Sequence, residues 1–284
     1  MSQTTIRSIL ILLLAGCSSG RTPPPAPASS PAVRPENQPL DSGPWSFAYR
    51  SDTLAYQITR SAAIESKSDS AATREIATNN THEVLSLTVA ADTIRYTATV
   101  DTFSTGTQGR IGGVQQVVLP VQISGVLDST GSTPDSVIPA QVCDPVQSSL
   151  ETDARNLLVR FPVQLSPGTR WRDSTTRAGC YGMIPMKAQV VRTFLVIGQT
   201  SYAGQNAVAI QRTDSISAHG EGRQLQHQLT IEAFGIGGAT YYLSPVQSVV
   251  LHLTTNQDLD FVIQASGRTS RFRESAKQEY SLVR

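Results

Sequence analysis

Two-residue alternation of apolar and polar side chains is the feature that most narrows what this chain can fold into. Leu85, Leu87 and Val89 point one way and Ser86 and Thr88 the other. Ile94, Tyr96, Ala98 and Val100 then repeat the pattern against Arg95, Thr97, Thr99 and Asp101. A strand puts successive side chains on opposite faces, so this period predicts sheet with one face buried and one solvated. The short link at 90–92 makes the pair an antiparallel hairpin. From Lys187 onward nearly everything reads as strand, at about 187–198, 204–218, 223–234, 239–243, 247–255, 258–265 and 268–283, punctuated by Gly, Asn or Pro. Many strands with turn signals between them predict an antiparallel sheet that curls or closes.

Before 85 the pattern is coarser. Residues 45–60, rich in Tyr, Thr and Ile, read as one long strand or a pair, and 65–80 as a loop or edge hairpin. Residues 114–124 read as a further strand, 128–139 as a surface loop, and 179–185 as a loop around Cys180.

One helix interrupts the strands, at about 145–158. Asp144 suits its cap, Pro145 the first helical position, and Gln147 sits three residues after the cap. Val146, Leu150, Ala154 and Leu157 fall on one face, and Glu151 and Arg155 are spaced as an exposed i,i+4 pair. Pro162 ends the helix at the latest. The predicted fold is therefore mostly β, a curled antiparallel sheet or half-barrel with one amphipathic helix packed on or in its concave face.

The N-terminal residues concern location. Arg7 precedes a seven-residue apolar run, 9–15, which is far too short to cross a hydrocarbon core about 30 Å thick. It reads as a secretory signal, residues 1–16. The run closes on Leu14-Ala15-Gly16-Cys17, which resembles the lipobox of bacterial lipoproteins. That resemblance implies cleavage before Cys17 and acylation of its sulfur and amine. Ser18 in the next position implies, on the same resemblance, the outer membrane. The alternative is an ordinary signal peptide with an incidental cysteine. Eight of the sixteen prolines lie in 17–44, which reads as an extended tether, and 45–284 as a single β-rich domain. Strand pattern, lipobox and helix placement together are similar in plan to half-barrel lipoprotein carriers, without a family-specific motif.

With Arg7 removed, 22 basic residues face 22 acidic ones, so no field draws in nucleic acid. Once Cys17 is acylated, Cys143 and Cys180 remain, and export to an oxidising space favours their pairing over two reduced buried thiols. The 38-residue loop so closed contributes about 4 kcal/mol in the chain-entropy model.

Candidate chemistry is sparse. His219, Glu221, His227 and Glu232 come near metal-ligand types, but Gly220 and Gly222 suggest a hairpin end and His227 shares the phase of Leu225, Leu229 and Ile231. His82 and His252 read as surface residues, and Asp258 and Asp260 as solvent-facing strand positions. Gly235 to Gly238 lacks the following helix that binds phosphate. Arg268, Arg271 and Arg273 read as a basic edge that discourages sheet-to-sheet pairing. No serine elbow or triad pattern occurs. The expectation is a non-enzymatic protein without metal or cofactor. Its partners would be membrane lipid through Cys17 and a hydrophobic or amphipathic ligand, or alternatively an envelope protein.

Overall fold

A computed structural model describes residues 43–66, 74–90, 93–108, 119–128, 131–134, 145–181, 184–224 and 227–283. Eleven of its strands form one sheet. In chain order the elements are β1 (Trp45–Ser46), β2 (Asp52–Ser66), β3 (Arg74–Ala90), β4 (Thr93–Gln108), β5 (Val121–Asp128), β6 (Gly131–Pro134), α1 (Pro145–Leu157), β7 (Gln164–Leu165), β8 (Arg170–Tyr181), β9 (Ile184–Tyr202), β10 (Gln205–Gln224), β11 (His227–Ser244), β12 (Val249–Ala265) and β13 (Arg268–Val283).

The large sheet runs β6-β5-β4-β3-β2-β13-β12-β11-β10-β9-β8, with every pairing antiparallel. Each strand pairs with its neighbour in sequence, and β2 joins β13 to link the two ends of the chain. Among the described residues the cycle has one break, between β6 and β8. Helix α1 follows β6 and leads by way of β7 to β8, and it packs against β4, β5, β6 and β8. It therefore occupies in space the place it holds in sequence, that of a closing strand. The curled sheet with one helix, predicted from periodicity, is the observed architecture. β1 and β7 form a separate two-stranded ribbon through Trp45–Leu165 and Ser46–Gln164.

Boundaries shifted where glycine was read as a stop. Both the Gly220–Gly222 and the Gly235–Gly238 stretches lie inside continuous strands, β10 and β11, because small side chains there let neighbouring backbones approach. A Cβ on Gly235 would sit 2.0 Å from the Asp258 carbonyl oxygen. Residues 79–80 are likewise within β3, and Gly179 lies within β8. Strand β13 is central, between β12 and β2, so Arg268, Arg271 and Arg273 do not form a protective edge.

The interior is layered along the strands. At one end Tyr56, Ile58, Leu85, Leu127, Phe194, Ile210, Tyr241, Leu253 and Tyr280 form an apolar core with Leu150, Ala154 and Leu157 of α1. Edge-on aromatic contacts extend it, with Phe161 lying 5.0 Å from Phe47 and 5.8 Å from Tyr241. A second, smaller core at the other end gathers Ile184, Met186, Ile216, Ile231, Leu259, Phe261 and Phe272. Between them, in mid-strand on strand after strand, inward positions that line one space turn polar. These are Arg177 on β8, Arg192 on β9, Arg212 and Asp214 on β10, Thr255 and Gln257 on β12, and Glu274 and Gln278 on β13. On β11 the inward residues in mid-strand are Gly235 and Gly237.

Candidate functional site

The polar belt encloses a cavity of about 330 Å³ against one flank of α1. The helix contributes Ser148, Ser149, Thr152, Arg155 and Asn156, and the strands contribute the belt residues just named. Four guanidinium groups therefore face one small space, together with the carboxyls of Asp214 and Glu274. The structure thus brings together a set of side chains that single-residue motif reading did not connect.

Three of the four arginines are engaged. Arg192 donates Nε and Nη2 to the two oxygens of Asp173, both at 2.7 Å, and Nη1 to the Arg155 carbonyl at 3.1 Å. Arg212 donates Nη2 to Asp214 at 2.8 Å and Nη1 to the Tyr241 hydroxyl at 2.6 Å. That hydroxyl in turn donates to the Asn156 carbonyl at 3.0 Å, tying β10 and β11 to the end of α1. Arg155 lies 3.5 Å from Glu151. The i,i+4 pair is thus present as spaced, but it is not exposed: the Glu151 side chain is 4% accessible.

Arg177 differs from these three. It makes no hydrogen bond or ion pair among the described residues, and it stands half-buried in the cavity wall. Burial, then repulsion from Arg155, Arg212 and Arg192, pushes its pKa down to about 10. Across the cavity, burial pushes the Glu274 carboxyl up to about 7.

A second buried polar group anchors the helix to the opposite wall. Asp153 takes hydrogen bonds from Arg60 and, at 2.8 Å, from the Tyr280 hydroxyl, while Asn156 donates to that hydroxyl at 3.1 Å. Glu83 faces Asp153, and burial first and the Asp153 charge second push its pKa well above the usual carboxyl range. For Arg60 burial is the largest single influence and acts downward, but Asp153, Tyr280 and Glu83 together outweigh it and the net shift is upward.

The residues singled out from the sequence lie elsewhere, apart from Cys180 and Arg155. Cys180, at the end of β8, is disulfide-bonded and lines the cavity. Its amide donates to Ser148 Oγ at 3.3 Å. Cys17 and Cys143 lie outside the described residues, as do the signal and most of the tether. His219 Nε2 is 3.3 Å from Glu221 Oε1 on the exposed face, with Glu232 opposite in the register. His227 is bonded to Ser266 at 2.6 Å. Among the described residues no group of three His, Cys, Asp or Glu is placed to hold a metal ion. His82 meets Asp101 at 2.8 Å, and Asp258 accepts from Ser275 at 2.5 Å beside Arg273. His252 is half-buried, stacked on Tyr202 with centroids 4.7 Å apart, and burial lowers its pKa. No described helix is long and apolar enough to cross a membrane.

Comparison with known proteins adds little. No family model and no curated protein matches the chain. The crystal structure of Pseudomonas aeruginosa OccK2 (OpdF) aligns over 82% of this chain and 98% of that one, at 7% identity and a TM-score of 0.23. A score that low carries no argument about this chain.

Proposed function

We propose that the chain is a lipid-anchored binding protein of the bacterial outer membrane. In this reading it is held by acylated Cys17, faces the periplasm, and carries a small amphipathic ligand without transforming it. The polar part of the ligand lies in the cavity against α1. The observation that carries the reading is that cavity: about 330 Å³ of space lined by polar groups, between two apolar cores. Its size falls within the range of small-molecule sites. The sheet supplies rigid walls and the helix a wall held by side chains.

The test is saturable binding by the full chain in detergent, using fluorescent fatty acyl probes and a panel of small polar compounds. Native mass spectrometry in parallel looks for a co-purifying molecule. A saturating signal absent from denatured protein is expected, and no binding to any member of the panel overturns the reading. Mass spectrometry of the mature protein tests the anchor, with an unmodified Cys17 or an uncleaved start as the contrary result.

A second reading, an envelope module acting through protein contacts, is favoured by one feature of the outer surface. Phe234 and Ile236 on β11 are 54% and 68% exposed, side by side on the solvent face of the sheet. Crosslinking in membranes from that face captures a consistent neighbour if this reading holds.

A further inference from the structure

We infer that the cavity against α1 receives the oxyanion of its ligand, a carboxylate or phosphate, with Arg177 as the principal anchor. This rests on the binding reading above and names the chemistry that the site selects.

The argument is one of charge and geometry. Arg155, Arg192 and Arg212 each have a carboxylate partner, respectively Glu151, Asp173 and Asp214. Subtracting those pairs leaves Arg177 as an unmatched cation in the wall. Among the described residues the other unmatched ionisable group lining the space is Glu274, whose carboxyl is only partly charged near neutral pH. The surplus is therefore positive.

Leaving a half-buried guanidinium beside three others is unfavourable, and a ligand oxyanion relieves it in a way that a neutral group does not. A guanidinium presents planar paired donors that match a carboxylate or phosphate edge. Hydroxyls of Ser149 and Thr175 line the same space and supply donors for the remaining oxygens. An acyl chain alone gains nothing from such walls.

Calorimetric titration of the full chain in detergent with inorganic phosphate, succinate, dihexanoyl phosphatidic acid and neutral erythritol tests this. Arg177→Gln, Arg177→Lys and, as a control, Arg172→Gln on the exposed face of the same strand are titrated alongside. Saturable oxyanion binding is expected, weakened about tenfold or more by Arg177→Gln, less by Arg177→Lys, and unchanged by Arg172→Gln. Binding of phosphate or succinate assigns a free anion, and binding of the phosphatidic acid alone assigns a lipid headgroup. Either outcome supports the inference. If Arg177→Gln does not fold, the Arg177→Lys titration and the oxyanion-induced rise in wild-type Tm decide. Binding of erythritol or a neutral panel compound without any oxyanion, or oxyanion binding indifferent to Arg177, overturns the inference and leaves the binding reading standing. Binding of no probe of any kind overturns both.

Discussion

Arg60 on β2 and Asp153 on α1 form an ion pair buried against the inner wall of the sheet, with side-chain exposures of 10% and 1%. It fastens the helix to the strand that joins the two ends of the chain. The helix is thus gripped on both flanks: here by Arg60 and Tyr280, and on the other side by Arg192, Arg212 and Tyr241.

Breaking that pair from one side strands a charge. Arg60→Met leaves Asp153 beside the Glu83 carboxyl without its cation, and is expected to destabilise the fold by about 3–5 kcal/mol in urea denaturation. Replacing both partners, Arg60→Met with Asp153→Leu, is expected to recover most of that loss. A double variant as unstable as the single would show that the pair contributes through packing alone.

Tyr241→Phe removes a single oxygen that accepts from Arg212 at 2.6 Å and donates to the Asn156 carbonyl at 3.0 Å. Both groups are buried, so each loses a partner that water does not replace. A loss of about 1–3 kcal/mol is expected by thermal or chemical denaturation.

Glu274 makes stability depend on pH. Burial raises its folded pKa to about 7 from an ordinary 4.5, so the fold holds a proton that the unfolded chain releases. Its cross-strand neighbours, Leu259 and Ile64, do not titrate, and the facing Tyr181 is itself pushed upward, by burial first and by Glu274 second. The contribution is fully favourable below pH 4.5, falls as pH rises from 4.5 to 7, and is flat above. Allowing for partial solvent access, the fall is about 1–3 kcal/mol. Glu274→Gln is expected to abolish that slope in denaturation curves taken from pH 5 to 8.

Gly235→Ala places a methyl 2.0 Å from the Asp258 carbonyl oxygen on the next strand. The backbone must shift to admit it, and a cost of about 1–3 kcal/mol is expected. The same substitution should alter amide shifts of β11 and β12 while sparing β2 and β3 in NMR spectra.

The sheet was legible because most inward residues announce it. Leu85 and Leu87, and Tyr96, Ala98 and Val100, fall in the phase that burial then confirms. The helix was legible from Leu150, Ala154 and Leu157, all of which are buried. Glycine was misread, since Gly235 and Gly237 serve as thin positions in a continuous strand rather than as breaks. The cavity escaped notice because its signal is an exception to the pattern. Arg192 shares the phase of Val190, Phe194 and Val196, and Arg212 and Asp214 share that of Val208, Ile210 and Ile216. Charges at inward positions in mid-strand were readable one strand at a time. That they line one space across neighbouring strands depends on long-range register, which no local pattern carries. Asp153 and Asn156, on the helix flanks beside the apolar stripe, were missed for the same reason.

Helix α1 stands where a twelfth strand would complete the cylinder, and among the described residues no backbone-to-backbone hydrogen bond joins it to either edge. Every other wall is a continuous ladder whose spreading would break amide bonds in series. Here, among the described residues, every hydrogen bond across the circumference involves a side chain, so this is the slat that yields at least cost. Amide exchange should find β6, β8 and the first turns of α1 opening well before β10 through β12, and a molecule entering the hollow would pass along that same slit.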